Sequence, residues 1–327
     1  MRAAVLVETG KIAVKDVQPP EPKAGEVLVR VIVGGICGSD HSLYHGKFGV
    51  PLPVIPGHEA SGRIEKLGSG VSGLTVGQRV TIQPNLSCFS CPLCRSGHQN
   101  ICPAKLRLGV DTDGVFAEYV KVPSNRLWSI PEGLEDDAAV FAEPAATAVH
   151  ALKIMAPRKG DRTLILGAGV MGLLILQLVA LEGAEVTACD FNQKRLALAK
   201  KLGAAHVIDA SDQTASIHST FDLIYETSGA DAALAQAIRF AAPLGRIVVL
   251  GLPGKEHAVS PDLIVRKELQ IRGSMIYSDE FPQALKLLQS GDLQTEPLIS
   301  KRLQLDELDG ALSRFGTPER VKMLVVI

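Results

Sequence analysis

Short apolar or alternating runs dominate the first third of the chain: Ala3–Val7, Glu26–Val33, Gly62–Lys66, Arg79–Ile82 and Glu118–Val122. Runs of this length predict strands. Clusters of Pro and Gly, such as Pro19–Pro22, Pro51–Gly57 and Gly68–Gly73, separate them. Many short strands punctuated in this way imply an irregular barrel or sandwich rather than stacked helices. From about Ala148 the pattern changes. Compact apolar runs at Thr163–Leu166, Glu185–Cys189, Ala205–Ile208, Asp222–Glu226, Arg246–Leu250 and Leu269–Ile271 alternate with helical patterns at Val170–Glu182, Gln193–Leu202 and Ala232–Ala241. That alternation predicts βαβ units around a parallel sheet. A further helix is expected over Phe281–Ser290, and the chain closes on the apolar run Lys322–Ile327. The two textures imply two domains of an α/β protein.

Composition narrows the class. The 327 residues carry 34 Lys+Arg against 35 Asp+Glu, a formal net charge of −1. A near-neutral chain has no electrostatic footprint for nucleic acid or anionic membranes, so neither is expected as a partner. No apolar run is long enough to span a bilayer, and the first residues lack the apolar core of a signal peptide. A cytoplasmic protein is expected. Its six cysteines are then reduced thiols rather than disulfides.

Four of those thiols crowd together as Cys88-x2-Cys91-x2-Cys94-x7-Cys102. Four soft thiolates within reach of one ion suit a closed, structural zinc site. An iron–sulfur cluster is the rival for an all-sulfur set. A nucleic-acid-binding zinc ribbon is disfavoured by the absence of a basic patch.

Thr163–Leu166 runs into Gly167-Ala-Gly169-Val170-Met171-Gly172 and then a helix. A strand, a G-x-G-x-x-G turn and a helix form a dinucleotide fingerprint: glycines permit the turn and the backbone approach, and the helix N-terminus receives the pyrophosphate. Asp190, eighteen residues after Gly172 at the end of the next strand, is placed to accept the adenosine ribose hydroxyls. It would repel a 2′-phosphate, which favours NAD. Lys194 or Arg195 could instead serve NADP, and Arg195 joins Gly167, Gly169, Val170, Met171, Gly172 and Asp190 among the expected cofactor contacts.

A second set of metal-ligand types is dispersed: Cys37-Gly-Ser39-Asp40, then Gly57-His58-Glu59, then Glu143-Pro144. Singly, each is unremarkable, because a lone Cys or His is more often packing than ligation. Together, Cys, His and carboxylates make a ligand set that zinc accepts with one position open.

At this point the sequence resembles the zinc-dependent medium-chain dehydrogenase/reductases, the alcohol dehydrogenase family, and within it the sorbitol/polyol and threonine dehydrogenase branch. The resemblance rests on Gly35-Ile-Cys-Gly-Ser-Asp40, Pro56-Gly-His-Glu59, the four-cysteine lobe, Asp113-Gly-Val-Phe-Ala-Glu-Tyr119, Glu143-Pro144 and the Gly167–Gly172 turn, in the family's order. It implies a GroES-like β-barrel catalytic domain plus a doubly wound Rossmann domain. The barrel would comprise 1–147 with 276–327 returning to it, and the Rossmann domain 148–275. It further implies two zinc ions per chain. Cys37, His58, Glu59 and Glu143 would surround the catalytic one, and Ser39 would begin a proton relay. Where the family often has a His, this chain has Ser42, with His41 and His45 nearby. A homotetramer is implied, with a dimer as second choice.

Zinc lowers the pKa of a bound hydroxyl, as it lowers that of water from ~15.7 to about 7, so that hydride can leave to nicotinamide. A shell with two carboxylates would make the metal a weaker Lewis acid, which suits substrates that chelate through adjacent oxygens. The expected reaction is therefore NAD-linked oxidation of a secondary hydroxyl on a polyol, sugar alcohol or sugar acid. L-Threonine, 2,3-butanediol or another secondary alcohol is the alternative within the family. A zinc-free quinone reductase and a non-catalytic, zinc-stabilised dinucleotide binder are the readings outside that reaction. Tyr44, Phe48, Phe116, Ile276 and Tyr277 are candidate pocket walls.

Overall fold

A computed structural model describes residues 1–212, 220–315 and 320–327. They fall into two compact units, Met1–Glu143 with Ala284–Gln289 and Thr295–Ile327, and Pro144–Gln283 with Ser290–Gln294.

In the first unit a seven-stranded sheet is ordered Ile299–Gln304, Lys322–Val326, Glu26–Ile36, Glu59–Leu67, Arg79–Ile82 and Leu127–Ser129, with Tyr119–Pro123 also paired to Glu26–Ile36. The β-branched residues anticipated from the sequence supply its core. Val27, Val29, Ile64, Val80, Ile82 and Val122 are all essentially inaccessible, each contributing roughly 1.5–3 kcal/mol relative to exposure. The last strand of the chain lies antiparallel to Glu26–Ile36, with Leu324 opposite Gly35, and Glu26–Ile36 in turn places Gly35 opposite Glu59. That register sets three distant segments side by side at one end of the sheet.

The second unit holds six parallel strands in the order His206–Asp209, Glu185–Asp190, Arg162–Leu166, Phe221–Glu226, Ala241–Val249 and Gln270–Gly273. The strand order reverses between Arg162–Leu166 and Phe221–Glu226, the switch point at which a doubly wound sheet binds a dinucleotide. Leu164, Ile224 and Ile247 pack centrally against Ala237 and Ile238 of the helix Ala233–Phe240.

The units part at Glu143/Pro144 and near Gln283/Ala284, whereas the sequence places the divides at 147/148 and 275/276. Residues 276–283 stay with the second unit because Glu280 ties them to the helix Ala142–Ile154. Its Oε1 meets His150 Nδ1 at 2.9 Å and Lys153 Nζ at 3.0 Å, and its Oε2 accepts the amides of Ser278 and Asp279. Among the described residues no helix is long and apolar enough to cross a membrane.

Candidate functional site

Cys37 ends the strand register at Ile36 and caps the helix Gly38–Tyr44. The cap is reciprocal. Asp40 Oδ2 accepts the Cys37 amide at 2.8 Å, which stabilises a first turn that has little other reason to form. The same carboxylate reaches the other ligand loop. Asp40 Oδ1 accepts the Gly57 amide at 3.2 Å and lies 3.4 Å from His58 Nδ1. Asp40 is 1% exposed. His58 Nδ1 is buried and faces this carboxylate without a hydrogen bond, so the contact is electrostatic, and Nε2 lies on the other side of the ring. Ser39 Oγ is 3.4 Å from that Nε2.

His58 is held from behind by the Asp113–Phe116 motif. Asp113 Oδ1 accepts the Ile55 amide at 2.9 Å, and the amides of Val115 and Phe116 donate to Gly57 O and Pro56 O. Glu59 begins the next strand. The donor atoms of Cys37, His58 and Glu59 all lie within 4.8 Å of one another. A thiolate, an imidazole and a carboxylate at that spacing could hold zinc. Burial pulls the His58 imidazole down, but Asp40, and then Cys37, hold it well above the ordinary histidine value. A metal ion at this site therefore displaces a proton as it binds.

Glu143, expected as a fourth ligand, is buried but falls outside that three-residue group. Its charge is felt instead by Lys322, a residue the sequence reading passed over. Lys322 is 1% exposed and its Nζ donates to Glu59 Oε2. Burial would lower the lysine, but the attraction of Glu59, followed by Cys37 and Glu143, raises it above its ordinary value.

The four cysteines of the lobe stand together. Sγ–Sγ separations are 3.5 Å for Cys88–Cys102, 3.9 Å for Cys88–Cys94 and 4.0 Å for Cys91–Cys102. Zn–S bonds of ~2.3 Å set tetrahedral edges of about 3.8 Å, so the thiols already stand at zinc spacing. Their environments differ. Hydrogen bonds at Ser90 bring Cys88 down to about 6, whereas burial pushes Cys94 up to about 12. A bound dication removes that difference by ionising every ligand.

In the second unit Gly167 adopts φ +98°, and a Cβ on Gly172 would overlap the Gly167 carbonyl oxygen. Both positions therefore demand glycine. Gly169 caps the helix Val170–Leu181, so Val170, Met171 and Gly172 form its first turn. Asp190 Oδ2 accepts the Ala168 amide at 2.7 Å, its Oδ1 accepts the Asn192 amide at 2.8 Å, and Arg195 Nη1 stands 3.8 Å away. The carboxylate thus stiffens the turn it was expected to serve. Glu226, not singled out from sequence, braces the neighbouring loop. Its Oε1 accepts the amides of Ser228 and Gly229, while Thr227 Oγ1 donates to Gly167 O at 2.8 Å.

Three of the candidate pocket walls are core instead. Tyr44 donates to Gly10 O and Asp309, Phe116 is fully buried, and Tyr277 is buried against Phe281. Phe48 alone of the two phenylalanines is exposed. His41 stacks on Phe315 with Nδ1 3.1 Å from Leu312 O, and His45 meets it edge-on at 4.4 Å between ring centroids.

Residues 23–132 match the alcohol dehydrogenase GroES-like domain, and residues 170–290 match the zinc-binding dehydrogenase domain. Sorbitol dehydrogenase of Bacillus subtilis is 32% identical over 96% of this chain and 93% of its own. A zinc-binding dehydrogenase of Sinorhizobium meliloti, solved bound to NADP, superposes with a TM-score of 0.95 at 34% identity, covering 100% of this chain and 99% of that one. A short chain alcohol dehydrogenase of Escherichia coli CFT073, complexed with NADH, gives 0.94 at 32% identity with the same coverage. Two zinc-competent donor sets, a GroES-like unit and a doubly wound unit with its glycine turn make this chain a member of the zinc-dependent medium-chain dehydrogenase/reductase family, an oxidoreductase of the alcohol dehydrogenase type.

Proposed function

We propose that the chain catalyses reversible, NAD-linked oxidation of a secondary hydroxyl on a polyol, sugar alcohol or sugar acid, assisted by one catalytic zinc and stabilised by one structural zinc. The observation that carries this reading is the Cys37–His58–Glu59 donor group, which stands apart from the four-cysteine cluster. A structural metal needs four closed ligands, whereas three donors leave a position for substrate. Zinc held there supplies Lewis acidity to a hydroxyl oxygen.

The chain's own residues do the rest. Asp40 fixes both ligand loops, through the Cys37 amide and through His58. Ser39 Oγ, 3.4 Å from His58 Nε2, would relay the hydroxyl proton, accepting it while handing its own outward through the cofactor ribose and a solvent-linked group. Glu143 remains the reserve carboxylate of the site. The second unit would hold the dinucleotide, which would supply the hydride acceptor. There Asp190 offers carboxylate lone pairs to ribose hydroxyls and opposes a 2′-phosphate, while Arg195 already stands against Asp190. These features favour NAD. A cytoplasmic location belongs to the same reading, and the resemblance to the polyol branch favours a homotetramer over a dimer.

The test is metal analysis of zinc-loaded protein joined to an NAD-linked activity screen over polyols, aldonates, secondary alcohols, 2,3-butanediol and L-threonine. Two zinc ions per chain with turnover of a polyol or sugar acid are expected. Zinc without turnover of any of these would mean a binder, and a preference for NADP would overturn the reading of Asp190.

A further inference from the structure

We propose that Lys322 is a positioning residue of the catalytic centre: the final strand carries its buried ammonium to Glu59, where it restrains that carboxylate and offsets one negative charge of the ligand set. The inference rests on the reading of Cys37, His58 and Glu59 as the catalytic zinc site.

Three observations support it. The first is burial. Lys322 and Glu59 are each 1% exposed in their side chains and are joined Nζ to Oε2. An ion pair so deeply buried is poor evidence of stabilisation, because an apolar pair of similar volume is often as stable or more so. A reason other than stability is needed. The second is construction. Gly35 lies between the two strands, opposite both Leu324 and Glu59. A Cβ there would overlap Glu59 Oε2 and approach Val140 Cγ1 to 2.8 Å and Lys322 Cε to 3.0 Å. The backbone is bare where the pair meets. The third is charge. A Cys37 thiolate and the buried carboxylates of Glu59, Glu143 and Asp40 around a dication leave two negative charges in excess, and Lys322 offsets one of them.

This alters the charge argument made from the ligand types alone, in which two carboxylates weaken the metal as a Lewis acid. A carboxylate with one oxygen engaged by an ammonium is a weaker and less mobile donor. It can complete the shell without filling the position that substrate needs. Removing the ammonium frees Glu59 to bind fully, so the metal should be held more tightly while the chemistry slows.

The experiment uses the full-length, zinc-loaded enzyme and follows zinc release to a chelator, with the apo-protein melting temperature and kcat and KM alongside. Lys322→Met should release its labile zinc about tenfold more slowly, similar in size but opposite in sign to the usual loss on removing an outer partner, because this partner competes with the metal for the carboxylate. Its apo form should melt lower and gain more on zinc addition than wild type. kcat should fall with little change in KM for NAD. Should Lys322→Met fail to fold, Lys322→Met/Glu59→Gln leaves no buried charge unpaired. That double variant should then hold labile zinc better than Glu59→Gln alone, in which the lysine faces the metal without its carboxylate. Zinc release from Lys322→Met at the wild-type rate or faster overturns the inference, as does equal release from the double variant and Glu59→Gln. A wild-type enzyme that takes up only one zinc per chain overturns instead the reading of the site on which the inference stands.

Discussion

Replacing Asp40 by Asn changes one atom type in a side chain that serves both ligand loops. The carboxylate accepts the Cys37 amide at 2.8 Å and the Gly57 amide at 3.2 Å, and faces His58 Nδ1 at 3.4 Å. An asparagine of the same shape has one oxygen. If it keeps the Cys37 amide, its own NH2 group faces the Gly57 N–H, and one buried donor loses its acceptor at a cost of roughly 1–3 kcal/mol. The His58 ring also loses the charge that orients it. Outer-sphere partners of metal ligands are worth about 10–100-fold in metal affinity, which at ~1.36 kcal/mol per decade is about 1.4–2.7 kcal/mol. The two estimates agree because they describe the same reorganisation, once from the protein and once from the metal. The assay is zinc release from purified, zinc-loaded enzyme. Two phases are expected in wild type, one from the open site and a slower one from the four closed thiolates. Asp40→Asn should accelerate the first by 10–100-fold and leave the second unchanged. Equal first-phase rates in variant and wild type would refute the role given to Asp40, and acceleration of both phases would show general unfolding instead.

Ser39→Ala should retain both zinc ions and lose turnover by a factor on the order of 10²–10⁴, the usual worth of a positioned proton acceptor; wild-type turnover would move the relay to His41 or His45. Asp190→Ala should weaken NAD binding and narrow the preference over NADP in dinucleotide titrations, because the ribose loses an acceptor and the Ala168 amide loses its partner. Burial would raise the Glu280 carboxyl, but hydrogen bonds from His150, then Lys153 and the Ser278 amide, hold it far below the usual carboxylate range. A depressed carboxyl stabilises the fold above its unfolded pKa of ~4.3 and ceases to do so as pH falls toward its folded value. Melting temperature should therefore drop between about pH 4 and pH 2 more steeply in wild type than in Glu280→Gln, which starts lower at pH 7.

The apolar runs, the glycine turn and the alternation of strands with helices in the second unit are legible in the sequence, because each depends on a local period or a fixed spacing, whereas the order of the strands in the sheet is not. Two helices near the site were not. Gly38–Tyr44 contains Gly, Ser and Asp in its first turn and forms around the reciprocal Cys37–Asp40 cap rather than from propensity. Ala142–Ile154 is buried along nearly its whole length, with only Lys153 fully exposed. A helix without a wet face has no polar stripe to betray its period. The aromatic residues failed for a related reason. Tyr44, Phe116 and Tyr277 fill core positions, and an aromatic side chain at a core position reads the same in sequence as one at a pocket wall.

The charges of the proposed catalytic centre divide along the same line. Cys37, His58 and Glu59 belong to two short motifs, and Asp40 sits inside one of them, so the ligand set and its nearest brace lie within twenty-three residues of chain. Lys322 does not. A lysine opening an apolar run reads as the solvated end of a strand, because lysine is almost never fully buried unless paired. Its partner Glu59 is 263 residues away, and no local pattern connects the two. What connects them is the order of three strands, in which the end of the chain is laid beside the strand that delivers Cys37, and that strand beside the one that begins with Glu59. A candidate ligand set can thus be proposed from residue types and a family resemblance while its net charge cannot, since the compensating group arrives through sheet topology. The chemistry assigned to a metal from its ligand types alone therefore holds only once the buried charges brought in by the rest of the fold have been added to the sum.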